Sequence, residues 1–138
     1  MRIMAIDYGD AHTGIAISDP TGFLAGFTTV INAYRPEVVA EQVAALAKEH
    51  GVEELVLGHP INMDGTRGPR SEKAQAMKAL LEATISLPVV LWDERRTTID
   101  AHQILMNSGK NAKKRKKVVD AVAATLILEG YLTYKKTH

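Results

Sequence analysis

The sequence predicts an α/β domain with one five-stranded mixed sheet flanked by helices. The chain begins with three short apolar segments joined by turns, which is typical of an antiparallel meander. Apolar segments then alternate with segments of helical periodicity, as in the units that build parallel strands. The chain has 138 residues, of which 46% are hydrophobic. This size and composition suit a single domain over residues 1–138 with a substantial core.

The first strand is predicted over Arg2–Asp7, where four consecutive apolar residues lead directly into a carboxylate. An uninterrupted apolar run of this length indicates a strand buried on both faces. Gly9 and Gly14 allow a tight turn and a close approach of the backbone to a ligand. Ile15–Ser18 continues as the second strand of a hairpin. Asp7 is therefore either a residue that caps the turn or an acid presented at the mouth of the sheet.

The later elements follow from periodicity and from helix-end signals. Pro36 suits the first turn of a helix, and Gly51 suits its end. Ser71 is predicted to cap the next helix, and Thr97 with Asp100 resembles a capping box. The predicted elements are a third strand over 27–31, a helix over 36–50, a fourth strand over 55–58, a loop over 58–70, a helix from 71, a fifth strand over 88–92, a helix over 97–108 and a last helix that includes 118–128.

Acidic residues stand where the predicted parallel strands end. Asp7 ends the first strand, and Asp93 and Glu94 follow the fifth. In open α/β sheets, ligands bind beyond the carboxyl ends of the strands. This edge is therefore the predicted site.

The last helix contributes a third acid. Asp120 is the sole charged residue in the apolar segment 118–128, and helical spacing groups it with Ala123, Ala124, Ile127 and Tyr131. A carboxylate on such a face is costly unless it is paired. Asp120 is thus either one partner of a structural ion pair or a metal ligand.

Three converging acids favour a metal site. Asp7, Asp120 and one of Asp93 and Glu94 would repel one another unless they held cations. Two divalent ions held by carboxylates are a recurrent arrangement for attack on a phosphodiester. Oxygen ligands favour Mg²⁺ or Mn²⁺.

Charge is distributed unevenly along the chain. The net charge is +1, yet residues 101–138 carry eight Lys and Arg against two acids, whereas residues 1–100 carry nine against fourteen. Five consecutive basic residues precede Asp120. A charge run is commonly only a solvated surface, but next to an acid cluster it favours binding of a phosphate backbone.

These motifs together resemble the YqgF family, also called the RuvX or Holliday-junction-resolvase-like family. The resemblance rests on Asp7-Tyr8-Gly9, on the segment from Gly58 to Arg70, on Trp92-Asp93-Glu94-Arg95, and on the basic run with Asp120. It implies a ribonuclease H-like fold. It also implies a nuclease that trims the 5′ end of the 16S rRNA precursor, with an acidic triad of Asp7, Glu94 and Asp120.

Two positions depart from the family pattern. His12 stands where the family usually has Arg or Lys, and His59 stands where it usually has a larger apolar residue. Because His12 is a weaker cation at neutral pH, its contact with substrate is expected to be weaker or pH-dependent. The residues expected to contact nucleic acid are His12, Arg70, Arg95, Lys113, Lys114, Arg115, Lys116 and Lys117.

Composition excludes several classes of protein. The chain has no cysteine, so a disulfide framework and a thiolate zinc site are excluded. No apolar run approaches the length of a membrane span, and the first strand leaves no room for a signal peptide. A cytoplasmic protein is expected, as a monomer or weak homodimer.

Four functions remain to be compared. The first is metal-dependent hydrolysis of precursor rRNA, with two Mg²⁺ or Mn²⁺ ions, and the second is cleavage of branched DNA. The third is a non-catalytic nucleic-acid-binding accessory factor whose acids are structural. A kinase-like ATPase shares the glycine-containing hairpin, but it needs a second domain that 138 residues do not supply.

Overall fold

The computed structural model describes residues 1–22, 25–60, 68–93 and 112–137, with the side chains of the last segment described for 121–136. The elements in chain order are β1 (Arg2–Asp7), β2 (His12–Ser18), β3 (Ala25–Asn32), α1 (Pro36–His50), β4 (Val52–His59), α2 (Pro69–Thr84), β5 (Val89–Asp93) and α3 (Ala112–Thr137). The helix predicted over 97–108 lies outside the described residues.

The five strands form one mixed sheet in the order β3-β2-β1-β4-β5. β1 and β2 are antiparallel, as are β2 and β3, whereas β4 is parallel to both β1 and β5. The meander followed by parallel strands confirms the predicted α/β architecture.

Both faces of the sheet are covered, which explains the uninterrupted apolar run of β1. Met4 and Ile6 face the core under α1 and α2, and Ile3 and Ala5 face α3. Successive side chains of a strand point to opposite faces, so covering both faces requires apolar residues at every position. We call these the α1/α2 face and the α3 face.

The two helices on the α1/α2 face begin at prolines. Pro36 and Pro69 occupy the first turns, where a missing backbone N–H costs nothing. Gly51 ends α1 with φ of 67°, the left-handed conformation that glycine adopts without strain. The prediction that Ser71 caps α2 is wrong: Gly68 is the N-cap, and Ser71 lies inside the first turn with its side chain buried.

α3 runs antiparallel to β1 across the other face. Its residues Leu132 and Lys135 lie beside Met1 and Ile3 at the start of β1. Lys135 also forms an ion pair of 2.9 Å with Glu54, near the start of β4. The first half of α3 therefore lies toward the carboxyl ends of the strands. Within the described part of the chain, no helix has the length and apolarity needed to cross a membrane.

Candidate active site

Asp7 lies on the α3 face between two glycines of the neighbouring strands. It pairs with Gly14 across β1 and β2. The parallel register, in which Ile6 pairs with Leu57, makes Gly58 its neighbour on β4. Ile3 and Ala5 alternate with the residues that face α1 and α2, so Asp7 shares their side of the sheet. With a glycine on each neighbouring strand, no adjacent side chain of the sheet covers the partly exposed carboxylate.

The backbone of Asp120 lies on this same face. Ala124 and Ile127, one and two turns further along α3, pack fully buried against the sheet. Asp120 precedes Leu132 by roughly 18 Å along the helix axis, at about 1.5 Å per residue. Asp7 lies roughly 13 Å along β1 from Ile3, which is the neighbour of Leu132. The two acids are therefore at comparable heights, although the side chain of Asp120 is outside the described residues.

Asp93 belongs to the opposite face. Val90 and Trp92 pack against the α3 cluster, and Leu91 packs against the α1/α2 cluster. Alternation puts Asp93 on the side of Leu91, where it pairs in register with His59. The structure thus does not bring Asp93 onto the face of Asp7. Glu94 and Arg95 lie outside the described residues.

His59 and Ser71 form a buried contact that the sequence analysis missed. The Nε2 of His59 lies 2.6 Å from the Oγ of Ser71, which also accepts a hydrogen bond of 3.2 Å from the side-chain amide of Gln75. Ser71 is 0% exposed, so its hydroxyl is out of reach of any substrate. The contact fastens β4 to α2 across the loop between them. The sequence did contain a signal for this burial. Ser71 is spaced from Ala74 and Met77 so that all three lie on the apolar face of the helix.

His12 is held by Asn32. Its Nδ1 lies 2.6 Å from the side-chain oxygen of Asn32, its direct partner in the β2–β3 register. His12, Gly14 and Ala16 alternate onto the α3 face. The predicted contact residue His12 therefore lies on the same face as Asp7.

Arg70 lies at a small polar cavity on the other side of the same edge. The cavity, of about 160 Å³, is lined by Tyr8, Gly9, Asp10, Arg70 and Lys73. Lys73 donates a hydrogen bond of 2.7 Å to Asp10, and this bond and its charge lower the pKa of the Asp10 carboxyl. Burial raises the pKa of Tyr8, and the charge of Asp10 adds to the effect.

The basic run at 113–117 forms the first turns of α3, at the end nearest Asp7. The side chains of Lys113, Lys114, Arg115, Lys116 and Lys117 lie outside the described residues. Among the described side chains, no three potential metal ligands come together. Of the three acids that the resemblance implies, Asp7 alone has a described side chain.

Residues 1–134 match the RuvX family, which is described as Holliday junction resolvase. The chain belongs to this family. The match covers the motifs at Asp7, at Gly58, at Trp92 and at Asp120, so membership of the RuvX family accounts for nearly the whole chain.

Relatives of this RuvX-family chain are similar over their full lengths. A protein of Halothermothrix orenii named "Putative pre-16S rRNA nuclease" is 44% identical over 135 residues, or 98% of this chain and 96% of that one. A protein of Listeria monocytogenes with the same name is 46% identical over 134 residues, or 96% of this chain and 97% of that one.

A solved structure supports the fold. RuvC of T. thermophilus, in complex with a Holliday junction substrate, matches 99% of this chain and 96% of its own, with a TM-score of 0.64 and 12% sequence identity. At this identity the likeness concerns the fold alone. It confirms the ribonuclease H-like fold expected for the chain.

Proposed function

We propose that this RuvX-family protein is a metal-dependent nuclease that hydrolyses phosphodiester bonds at the 5′ end of the 16S rRNA precursor. The names of the full-length relatives support the substrate. The observation that carries the chemistry is the placement of α3. This helix brings the backbone of Asp120 onto the α3 face and toward the carboxyl ends of the strands. Asp7 lies at the same edge of that face, between two glycines.

Asp7, Glu94 and Asp120 are the proposed acids. The position of Asp93 supports Glu94 as the third, because Asp93 alternates onto the α1/α2 face, away from Asp7. The matched variants described below test which of the two acids serves.

The three residue types fit Mg²⁺ or Mn²⁺, because all three are carboxylates, and Asp7 is partly exposed. We propose two such ions. When bound, they supply positive charge to the phosphodiester and activate water for attack. The protein's own contribution is to hold Asp7 on a strand and Asp120 on a helix of the same face, where these two elements fix the backbones before substrate arrives.

The basic side chains are proposed to hold the substrate strand. The run at 113–117 begins α3 at the end nearest Asp7, and His12 lies on the same face as Asp7. Arg70 borders the polar cavity behind the β1–β2 turn. Arg95 follows the proposed acid Glu94. We place the protein in the cytoplasm, acting on precursor rRNA without a membrane.

The test is a cleavage assay with one matched pair of variants. Purified protein is incubated with a precursor 16S rRNA fragment and Mn²⁺, and new 5′ ends are mapped. Glu94→Gln is expected to abolish cleavage. Asp93→Asn is the equivalent change at the preceding residue, which lies on the α1/α2 face. This variant is expected to retain most of the cleavage. Loss of activity in Asp93→Asn with activity retained in Glu94→Gln would contradict the assignment.

A second candidate is cleavage of branched DNA. The description of the RuvX family and the fold shared with RuvC favour it. The same assay, with a four-way DNA junction in place of the RNA, separates the two. Cleavage of the junction but not of the RNA would make the DNA reading correct. Binding of either without cleavage, in the presence of Mn²⁺, would favour an accessory factor.

A further inference from the structure

The contact between His12 and Asn32 determines which ring nitrogen of His12 carries a proton. The Nδ1 of His12 lies 2.6 Å from Oδ1 of Asn32. An amide oxygen accepts hydrogen bonds and never donates them, so Nδ1 must be the donor. In neutral imidazole the second nitrogen, Nε2, then carries a lone pair. His12 therefore presents a fixed hydrogen-bond acceptor.

That acceptor lies close to Asp7. Gly14 is the direct partner of Asp7, and His12 lies two residues further along β2 on the same face. One strand spacing across and two residues along amount to roughly 8 Å. His12 and its partner Asn32 are both solvent-accessible. A nucleotide next to the one bound at Asp7 is within reach of Nε2.

An acceptor at this position distinguishes the two kinds of nucleic-acid backbone. Phosphate oxygens and the sugar ring oxygen only accept hydrogen bonds, so neither pairs with a lone pair on Nε2. The ribose 2′-hydroxyl donates as well as accepts, and DNA lacks it. We propose that His12, held in this tautomer by Asn32, accepts a hydrogen bond from a substrate 2′-hydroxyl and so selects RNA over DNA. The inference rests on the proposed function for the location of the substrate strand.

Asn32 is a positioning residue in this scheme. It lies on the edge strand β3 and acts through His12. Without its carbonyl, the imidazole is free to rotate and to exchange tautomers, so that Nε2–H becomes a donor in part of the molecules. A donor there pairs as well with phosphate as with ribose, and the discrimination is lost.

The experiment measures binding, not cleavage. Single-stranded RNA of one sequence is prepared with one 2′-deoxy or 2′-fluoro nucleotide at each position in turn. Dissociation constants are measured at mildly alkaline pH, above the range in which histidines commonly ionise, and with EDTA present, so that no strand is cut. At one position, loss of the hydroxyl should weaken binding to the wild type roughly three- to tenfold, the usual worth of one hydrogen bond.

Four variants locate the effect. In His12→Ala and in Asn32→Leu, the modified and unmodified strands should bind equally at that position. His12→Arg should bind RNA and DNA more tightly than the wild type near neutral pH and should discriminate less between them. His50→Ala is the matched control, because His50 lies at the opposite edge of the sheet, where its carbonyl accepts a hydrogen bond from Arg2. This variant should keep the full effect.

Each outcome decides a separate point. A cost of the missing hydroxyl that is equal in wild type and His12→Ala would overturn the inference. An effect that persists in Asn32→Leu would overturn the role of Asn32. A selective effect in a protein that cuts no RNA would support the inference while the proposed function fails. Cleavage of RNA with no such effect at any position would do the reverse.

Discussion

Tyr131 shows how one residue links packing to ionisation. Its ring is 6% exposed and packs edge-on against Trp92, with ring centroids 5.8 Å apart. Burial, together with the charge of Glu54 and a hydrogen bond to it, raises the pKa of the phenol to about 12. The carboxylate of Glu54 in turn binds Lys135 at 2.9 Å. Tyr131 and Trp92 thus pack against each other on the α3 face, and the packing keeps the phenol of Tyr131 neutral.

This pKa predicts a loss of stability at high pH. An unfolded tyrosine titrates near pH 10, so the unfolded chain loses the proton first. The stabilisation is complete below about pH 10 and disappears as pH rises to about 12, and it amounts to about 3 kcal/mol. Urea unfolding from pH 9 to 12 should show this loss in the wild type and not in Tyr131→Phe. Tyr34→Phe, at a side chain that is 82% exposed, should behave as the wild type does.

The sequence predicts some site residues better than others. Asp7 was predictable because a buried strand that ends in a carboxylate is unusual in itself. The bond between His12 and Asn32 was not, because those residues are 20 apart and meet through the register of β2 and β3. Glu94 was implied by the family resemblance, and the observation that supports it over Asp93, the face of β5 that packs on α3, came from the structure. The local sequence pattern identifies an isolated charged residue, but the residues next to it in space depend on how the strands pair.

At the scale of elements, α3 packs closely against β5 at Gly130. A Cβ built on Gly130 would lie 3.3 Å from Cζ2 of Trp92, closer than most such contacts. Glycine costs a helix about 1 kcal/mol relative to alanine, so its presence here reflects the close approach of the indole. A side chain at this position would require the indole or the helix to shift by a few tenths of an ångström.

Substitutions at Gly130 should therefore separate helix propensity from packing. Gly130→Ala should change stability by less than about 1 kcal/mol, because improved propensity offsets a tight contact. Gly130→Val should lower stability by roughly 1–3 kcal/mol through overpacking and shift the fluorescence of the chain's single tryptophan. Glu129→Val introduces the same residue, valine, one position earlier at an exposed site, and should leave the fluorescence unaltered. Equal losses for the two valine variants would rule out the packing explanation.

The ends of some helices and strands can be predicted from the sequence, and the ends of others cannot. β1 and α1 match the prediction at both ends, since an apolar run and two clear helix-end residues define them. β2 and β4 extend further than their apolar segments, because pairing with neighbouring strands draws in polar ends such as His12. Thr84 follows Leu81 at helical spacing, yet it is exposed, and its hydroxyl donates to the carbonyl of Leu80. Such end effects depend on partners that periodicity does not reveal.

The whole molecule separates its charges. The net charge of +1 combines a basic final quarter with an acidic remainder, and the basic run begins α3 at the edge where the parallel strands end. A positive surface beside an acid cluster attracts a phosphate backbone whatever its sequence. The fold thus places the start of this basic run toward the edge that holds Asp7.

Neutralising that run should flatten the salt dependence of binding. With residues 113–117 changed to glutamine, the slope of log affinity against log salt should fall by about 0.7 per lost contact on single-stranded RNA and about 0.9 on a duplex. Affinity should fall alike for unrelated sequences. Changing Lys135 and Lys136 to glutamine, at the far end of the same helix, should alter the slope little. An unchanged slope in the first variant would mean that the run is only a solvated surface.

Asp120 decides whether the edge of the sheet is a metal site or a structural one. Asp120→Asn is nearly isosteric and removes one charge. If Asp120 serves a structural ion pair, the change leaves its partner buried and alone, and stability should fall by roughly 3–5 kcal/mol. If it serves a metal, the metal-free protein holds mutually repelling acids, and losing one should leave stability unchanged or higher, as is common at active sites. We expect the second result.

The measurement is thermal unfolding of the wild type and Asp120→Asn, each with and without Mn²⁺, beside the RNA cleavage assay. If Asp120 serves a metal, Mn²⁺ binds the folded wild type, and at 100 times the dissociation constant it should add about 2.7 kcal/mol, and much less in the variant. Cleavage should be lost while RNA binding persists, because the phosphate contacts come from the basic residues. Glu129→Gln, on the exposed side of α3, removes one charge from the same helix and should keep the Mn²⁺ effect and the cleavage. An Asp120→Asn variant that unfolds far earlier without metal, yet cuts RNA as the wild type does, would make Asp120 structural and leave Asp7 and Glu94 without their third acid.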